Sequence, residues 1–431
     1  MKIILKNFLL VDEEMEMQGS VLIENGLIKT IQNEADEAGA IIIDGKCLSK
    51  TGKPLTLMPA FVDLHAHFRD PGPGATAPQP SELPFPSELI ESASLAAARG
   101  GFGTLICMAN TKPVTDTISR AAAIKMMSDK LGLIDLYPVI SLTKGMEGKE
   151  LSEITTLSKD ALLPLMLSED GKDLADDGLF LAAMKEAKRI GIPISCHCDY
   201  GKDENAAVMR AIELGQRVGC HVHIAHVSTK EALNTIAAAK ANGKTAANDN
   251  GFTLTCEVTP HHLCLTADDA EKLGVKTWGR VNPPLATEED RQALIGGLNP
   301  IELIDAIATD HAPHSKADKE NGSPGFSCLE TAFASVFTEL VRGNKISLKR
   351  LSALMSANPA RLLGFTNEKR NCTGRILPGY RADLIIADTE AAWVVESENF
   401  VSRGKNSPFA GKKLYGKILM TLHKGNIAFS Q

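Results

Sequence analysis

Both ends of the chain carry short segments in which apolar and polar residues alternate and which stop at glycine turns. In the N-terminal part, Glu24-Asn25-Gly26 lies between two such segments and has the composition of a hairpin turn. Similar segments occupy the last sixty residues, at 382–388, 393–395 and 417–422. Because a period of two residues is typical of strands, we predict that residues 1–57 and 371–431 together form one small β-sandwich domain.

Between these ends, from residue 58 to residue 370, apolar segments of strand length alternate with helical segments. Residues 103–108 follow an Ala-rich helix predicted over 88–99, and residues 222–225 precede a helix predicted over 230–241. Such alternation predicts a parallel sheet, and about 310 residues suit a (β/α)8 TIM-like barrel. A doubly wound α/β sheet is the alternative, but no glycine-rich phosphate loop follows the early strands.

Two histidines mark the end of the first barrel strand. His65 and His67 follow the apolar segment 57–62 and precede the turn at Asp70-Pro71-Gly72. Side chains at positions i and i+2 of a strand point the same way, and barrel active sites lie at the carboxyl ends of the strands. The spacing alone leaves two interpretations open, namely a metal site or polar residues that merely end a strand.

Four more apolar segments stop at a histidine or an aspartate in the same way, and the six side chains would ring one mouth of a barrel. At one of these positions either Glu169 or Asp170 could be the ligand, and we favour Asp170. Imidazole and carboxylate ligands of this number suit two zinc-like ions, which can polarise an amide carbonyl and lower the pKa of water to about 7. The predicted ligands are His65, His67, Asp170, His197, His226 and Asp310.

The remaining histidines and the cysteines beside His197 have structural interpretations. His221 and His223 have the opposite strand parity to His226, which places them against the helix layer. His261 and His262 lie beside a turn, where a hydrogen-bonding or rim role is expected, and His423 is expected on the surface of the terminal β domain. Alternation along a strand makes Cys196 and Cys198 packing residues rather than zinc ligands.

Composition narrows the range of functions. The 431 residues are 44% hydrophobic and 23% charged, which is typical of a globular protein. The net charge of -7 and the lack of any Lys/Arg block argue against nucleic acid or an anionic membrane as partner, so the substrate is expected to be small. The nine cysteines have no paired spacing, and we predict a cytoplasmic protein because neither a signal peptide nor a membrane span is evident.

These motifs resemble the amidohydrolase superfamily, and within it the type I dihydroorotases. The resemblance extends over nearly the whole chain. The motifs that carry it are His65-Ala-His67-Phe-Arg69-Asp-Pro-Gly72, Cys107-Met-Ala-Asn110-Thr111, Ser168-Glu-Asp170-Gly171, His197-Cys-Asp199, His226-Val-Ser-Thr229, Glu257-Val-Thr-Pro-His-His-Leu263, Asn282-Pro-Pro-Leu285, Thr309-Asp310-His-Ala-Pro-His314, Asn358-Pro-Ala360, Gly379-Tyr-Arg-Ala-Asp383-Leu and Asn406-Ser-Pro-Phe-Ala-Gly411.

The resemblance implies a role for each of these residues. Asp170 would be the bridging carboxylate that replaces the carboxylated lysine of hydantoinases, and Asp310 would be both a ligand and the general acid/base. Arg69 and Asn110 would hold the substrate carboxylate, while Asn282 and His314 would complete the pocket. The implied reaction is the reversible cyclisation of N-carbamoyl-L-aspartate to L-dihydroorotate and water in pyrimidine synthesis, with a hydroxide bridging two Zn²⁺ ions.

Two other functions remain open. One is a cyclic amidase like hydantoinase or allantoinase, and the other is a non-catalytic dihydroorotase-like partner of aspartate carbamoyltransferase. The family also suggests a homodimer. The Pro-rich insertion from Pro71 to Pro86 and a shortened segment between His197 and His226 leave substrate handling open.

Overall fold

A computed structural model describes residues 1–33, 37–72, 88–159, 163–199, 203–245, 250–299, 303–366 and 372–431. Nearly all of the Pro-rich insertion lies outside these residues, as does the predicted domain boundary between residues 370 and 371, so the proposed division of the chain stays a prediction. None of the described helices is long and apolar enough to cross a membrane.

The described residues contain strands and helices that we number separately in chain order. The strands are β1 (Lys2–Val11), β2 (Glu16–Glu24), β3 (Leu27–Gln32), β4 (Ile41–Asp44), β5 (Thr56–Pro59), β6 (Phe61–Ala66), β7 (Phe102–Cys107), β8 (Asp135–Pro138), β9 (Leu167–Ser168), β10 (Ile194–Cys196), β11 (His221–Ile224), β12 (Thr253–Val258), β13 (Ala306–Ile307), β14 (Leu384–Val394), β15 (Lys413–His423) and β16 (Asn426–Ser430). The helices are α1 (Gly45–Leu48), α2 (Ile90–Gly100), α3 (Ile118–Leu131), α4 (Asp177–Ile190), α5 (Glu204–Val218), α6 (Lys230–Thr245), α7 (Pro260–Cys264), α8 (Ala267–Leu273), α9 (Glu288–Gly297), α10 (Lys316–Glu320), α11 (Ala332–Val336), α12 (Leu348–Ser352) and α13 (Asn358–Leu362).

Strands β6 to β13 form the barrel. They pair in parallel within two groups, β6-β7-β8 and β9-β10-β11-β12-β13. Parallel bridges from Ala66 to His311 and from Ile140 to Leu167 join the two groups into a ring. The predicted (β/α)8 barrel is therefore confirmed, and the carboxyl ends of its strands meet at one mouth.

Strands from both chain ends form one mixed sheet of eight strands, ordered β16-β15-β14-β5-β1-β2-β3 with β4 beside β1. Asn25 and Gly26 both have positive φ, 53° and 81°, as a type I′ hairpin turn requires. The sheet leads directly into the barrel because only Ala60 separates β5 from β6. The terminal β structure was thus predictable from alternation and turn residues.

A buried ion-pair cluster joins this sheet to the barrel, and it corrects the expectation for His423. That side chain is 3% exposed, and its Nδ1 lies 3.3 Å from Asp383 Oδ1. Asp135 on β8 lies 2.7 Å from Arg381 Nη1 and 2.8 Å from Lys424 Nζ. His423 is buried rather than on the surface because β15 packs against the barrel, a contact that local sequence does not reveal.

Candidate metal centre

The six predicted ligand side chains converge at the carboxyl ends of the barrel strands. His65 Nε2 lies 3.2 Å from Asp170 Oδ1, and His67 Nε2 lies 3.1 Å from Asp310 Oδ1. His197 Nδ1 faces His226 Nε2 at 2.8 Å and Asp170 Oδ1 at 3.5 Å. Each of the six side chains belongs to a residue that is no more than 6% exposed.

The donor atoms of five of the six residues, all but His197, fit metal ions in both spacing and chemistry. Those of His65, Asp170 and His226 lie within 4.8 Å of one another, as do those of His65, His67 and Asp310. Tetrahedral zinc with ligands about 2.1 Å away requires ligand atoms roughly 3.4 Å apart. His65 Nε2 and Asp170 Oδ1 are buried without a hydrogen-bond partner among the described residues, and an ion would satisfy both.

The buried Asp170 carboxylate favours positive charge on the histidines beside it. Burial acts to lower the pKa of His197, but Asp170 and Asp199 raise it to about 10. The pKa of His65 is likewise raised against burial, mainly by Asp170. The pKa of Asp170 lies well below its ordinary value because His65 and His197 outweigh burial. Asp170 thus favours positive charge on His65 and His197, and bound metal ions would supply positive charge at the same place.

Three residues of the site have left-handed backbone conformations. The φ angles are 59° for Arg69, 33° for His226 and 44° for Asp310. Such angles are uncommon in residues other than glycine and cluster at functional sites. A left-handed residue also interrupts the alternation of side chains between the two faces of a strand. The direction of these three side chains therefore cannot be counted from the residues before them.

Asp170 and Glu169 point in different directions. The Asp170 carboxylate lies among the histidines, whereas Glu169 Oε2 accepts a hydrogen bond from the Thr143 backbone N–H at 3.0 Å. The geometry therefore favours Asp170 in the competition between these neighbours. Cys196 and Cys198 are buried, and neither belongs to a possible metal group among the described residues.

Arg69 and Asn110 lie together beside the histidines. Asn110 Oδ1 accepts from Arg69 Nη1 at 3.2 Å and from His67 Nδ1 at 2.9 Å. Arg69 Nε is buried and finds no acceptor among the residues that the structure describes. An arginine can bind a carboxylate with two parallel N–H groups, so this free N–H leaves one donor available to a ligand.

Asn282 and His314 lie near two different members of the site, His197 and Arg69. Asn282 Nδ2 lies 3.0 Å from His197 Nε2 and donates to Asp199 Oδ2 at 3.3 Å. The imidazole Nε2 of His314 donates to the Pro324 carbonyl at 2.7 Å. Burial and the charge of Arg69 lower the pKa of His314 to about 4, so its imidazole is neutral near pH 7.

Comparison with known proteins places the chain in a family. The amidohydrolase family model matches residues 56–428. A dihydroorotase of Clostridium botulinum is 38% identical and covers all of this chain and all of its own length. One of Aquifex aeolicus is 34% identical over 100% of this chain and 99% of its own. The chain belongs to the dihydroorotase branch of the amidohydrolase family.

The solved structures that resemble this amidohydrolase share its fold at low identity. An L-hydantoinase from Arthrobacter aurescens superposes with a TM-score of 0.81 and is 24% identical, covering 99% of this chain and 96% of its own. A dihydropyrimidinase from Brevibacillus agri gives 0.79 at 21% identity, covering 100% and 95%. At these identities the likeness supports the barrel and the terminal sheet only.

A buried carboxylate to which the sequence analysis gave no role of its own orients His65 in this amidohydrolase. Glu257 on β12 accepts from His65 Nδ1 at 2.9 Å and from His223 Nε2 at 3.1 Å. With Nδ1 turned to Glu257, Nε2 is the nitrogen that faces Asp170 and that would bind a metal ion after loss of its proton. One feature of the sequence could have pointed to this role, because Glu257 is the one charged residue of β12.

The position of His223 contradicts the expectation from parity. Its side chain contacts Glu257 inside the barrel, whereas Val222, its neighbour on β11, packs against Gly215 of α5. His221 Nε2 contacts Thr255 Oγ1 on β12 at 2.8 Å. The expectation failed because it counted parity from His226, which follows the end of β11 and has a left-handed backbone.

His262 has the hydrogen-bonding role expected beside a turn. Its Nδ1 lies 2.8 Å from Thr259 Oγ1, and its Nε2 lies 3.1 Å from the Pro283 carbonyl. His262 thereby connects the end of β12 to the segment that follows Asn282. It contributes to the shape of the mouth without belonging to the possible metal groups of the described residues.

Proposed function

We propose that the protein catalyses the reversible cyclisation of N-carbamoyl-L-aspartate to L-dihydroorotate and water. The observation that carries this proposal is the buried ring of four imidazoles and two carboxylates with the free N–H of Arg69 beside it. Full-length relatives named dihydroorotase support the same reaction. The substrate has an amide carbon at which the bond to nitrogen forms or breaks, and it also has a carboxylate. The ring of candidate ligands would act on the amide, and Arg69 would bind the carboxylate.

We propose that two Zn²⁺ ions occupy the centre. The residues that would hold them are His65, His67, Asp170, His197, His226 and Asp310. When bound, zinc polarises the amide carbonyl and lowers the pKa of water. Asp170 lies between the histidine pairs, which suits a carboxylate that both ions share, and Glu257 would keep His65 in the ligating tautomer.

Asp310 is proposed as the general acid/base. Its Oδ1 faces His67 Nε2 at 3.1 Å and His65 Nε2 at 3.7 Å, which leaves Oδ2 to handle the proton. In hydrolysis, the oxygen of water bonds to the ring amide carbon and the bond from that carbon to the ring nitrogen breaks. Asp310 carries the proton from the water to that nitrogen, and cyclisation reverses each transfer.

Arg69 and Asn110 are proposed to bind the substrate carboxylate. Asn110 Oδ1 accepts one N–H of the Arg69 guanidinium, and the Nε–H of Arg69 can donate to a carboxylate oxygen of the substrate. Asn282 and His314 would close the pocket on either side of this contact. A carboxylate-binding arginine, together with Asp170 in place of a modified lysine, favours dihydroorotase over a hydantoinase- or allantoinase-like amidase.

We further propose a cytoplasmic homodimer. Light scattering of the purified protein tests the dimer. The non-catalytic alternative, a partner of aspartate carbamoyltransferase, is disfavoured by the complete set of six candidate ligands. Association with that enzyme is tested by mixing the two purified proteins and measuring their sedimentation.

The decisive experiment compares substrates on one purified, metal-analysed preparation. We expect two zinc ions per chain and turnover of dihydroorotate and carbamoyl aspartate, with much weaker turnover of hydantoin and allantoin. Asp310→Asn should abolish turnover without unfolding the protein, whereas Asp318→Asn on α10 should not. A metal-loaded protein that hydrolyses hydantoin but not dihydroorotate would contradict the proposal.

A further inference from the structure

One side chain from the C-terminal part of the chain is buried against the segment that carries Asp310. Asn406, which is 2% exposed, lies in the loop between β14 and β15. Its Oδ1 accepts from the His314 backbone N–H at 3.0 Å and from Ser327 Oγ at 2.8 Å. Its Nδ2 donates to the carbonyls of Ala312 at 3.1 Å and Gly325 at 3.0 Å. Both donors and both acceptor sites of the amide are therefore used.

A buried lysine, Lys319, contacts the same Gly325 segment, and its ammonium group also has a full set of hydrogen-bond acceptors. Lys319 on α10 is fully buried, and its Nζ donates to the carbonyls of Arg280 at 2.9 Å, Ser323 at 3.0 Å and Gly325 at 3.0 Å. Burial lowers the pKa of Lys319 to about 8, while three carbonyl oxygens favour the charged ammonium. A buried lysine with three backbone acceptors fixes three pieces of chain at one point.

The two side chains meet at Gly325, whose carbonyl accepts from both. The Gly325 backbone N–H donates to the Arg280 carbonyl at 3.0 Å, two residues before Asn282. The φ of Gly325 is 133°, and a Cβ there would lie 2.5 Å from the Ala312 Cβ. Position 325 therefore requires glycine, and the contacts around it leave little freedom to the adjoining segments.

We propose that Asn406 and Lys319 are positioning residues that together fix the substrate-binding side of the pocket. Asn406 holds the backbone from Ala312 to His314, which begins two residues after Asp310, and Lys319 holds the backbone that leads to Asn282. This inference rests on the proposed function, because the pocket that it describes is the one proposed for dihydroorotate. The terminal sheet domain thereby contributes to substrate binding without touching substrate.

The test uses Asn406→Asp in the full-length, zinc-loaded protein. The substitution keeps the shape of the side chain but turns an oxygen toward two carbonyls. We expect the KM for dihydroorotate to rise at least tenfold, with kcat changed less than threefold and zinc content unchanged. Amide hydrogen exchange should be at least tenfold faster at Ala312, His314 and Gly325, while β6 and β12 exchange as in the unaltered protein.

Two controls and a second variant make the outcome decisive. Asn426→Asp on β16 and Lys316→Met on α10 replace exposed residues and should leave KM and exchange unchanged. Lys319→Met tests the same loop from its other side and should also raise KM, including where Asn406→Asp does not fold. The proposal is overturned if Asn406→Asp folds and both its KM and its exchange rates at Ala312, His314 and Gly325 stay within twofold of those of the unaltered protein. If Asn406→Asp does not fold, the same criterion applies to Lys319→Met.

The proposed function and this inference fail in distinguishable ways. An unaltered protein that does not turn over dihydroorotate would refute the proposed function. In that case the exchange rates at Ala312, His314 and Gly325 still decide whether Asn406 and Lys319 fix these segments. A general loss of stability with faster exchange throughout the barrel would refute a local positioning role.

Discussion

Replacing Glu257 with glutamine should weaken zinc binding without removing a ligand. The carboxylate is 1% exposed and accepts from His65 Nδ1 at 2.9 Å and from His223 Nε2 at 3.1 Å. These histidines outweigh burial and lower its pKa to about 2, so the carboxylate is charged at every pH near neutrality. Glutamine has one acceptor oxygen and no charge, and its NH2 group would face one of the two imidazole N–H groups.

The expected magnitude follows from the bond that is lost. A hydrogen bond to a charged group contributes about 1.5–3 kcal/mol. Loss of a carboxylate that orients a ligating histidine typically weakens metal binding about 10- to 100-fold, or about 1.4–2.7 kcal/mol. Because the two ranges agree, we expect zinc to bind about 10- to 100-fold more weakly and the metal-free protein to lose about 2 kcal/mol of unfolding free energy.

Competition with a chelator of known affinity measures the first quantity, and urea unfolding of the metal-free protein measures the second. Glu330→Gln is a matched control, because Glu330 is also buried and accepts hydrogen bonds from the backbone of Val401 and Ser402 rather than from histidines. It should leave zinc affinity unchanged. Zinc affinity of Glu257→Gln within twofold of the unaltered protein would refute the reasoning.

Three further substitutions have defined outcomes. Arg69→Lys should raise the KM for dihydroorotate at least tenfold, because an ammonium cannot make the two parallel N–H contacts of a guanidinium; steady-state kinetics measure this. Asp170→Asn should reduce bound zinc below two ions per chain by metal analysis, and full occupancy would contradict its bridging role. Asp135→Asn should cost about 3 kcal/mol of unfolding free energy, because it breaks a buried pair with Arg381. The pKa of Asp135 is lowered, since Arg381 outweighs burial, so its contribution is present above about pH 4 and is lost as the pH falls; the variant should show a shallower acid dependence of unfolding.

The convergence of the six proposed ligands was predictable because each position depends on one local rule. A strand of a parallel barrel delivers its last side chains to a common mouth, so a histidine or aspartate directly after an apolar segment is a candidate wherever that strand lies in the ring. His65, His67 and Asp310 needed no knowledge of which strands are neighbours. The choice between Glu169 and Asp170 did need the structure, because adjacent residues differ only in the direction in which they point.

The side chains that support the ligands were not predictable in this way. Glu257 and His223 interact because β11 and β12 are neighbours in the sheet, and no spacing along the chain encodes that contact. His423 was placed on the surface because the packing of β15 against the barrel is a contact between distant segments. Asn406 stood out as part of a motif, but its role depends on a loop eighty residues earlier, around Gly325.

The strained residues of the candidate site depend on such distant contacts. A left-handed residue other than glycine costs about 1–3 kcal/mol and persists only where its surroundings hold it. Next to Asp310, Thr309 donates its backbone N–H at 2.9 Å and its hydroxyl at 2.6 Å to Asp63 on β6.

Near His226, Ser228 and Thr229 also donate hydrogen bonds to a carboxylate from another element, Glu204 on α5. Ser228 donates its backbone N–H at 2.7 Å to Glu204, and the Thr229 hydroxyl donates to the same carboxylate. Asn110 accepts from the side chain of Arg69, the third strained residue. Neighbours of Asp310 and His226 thus contact carboxylates on β6 and α5, and Arg69 itself contacts Asn110 in the loop after β7. The candidate centre therefore depends on contacts between distant segments of the fold as well as on its motifs.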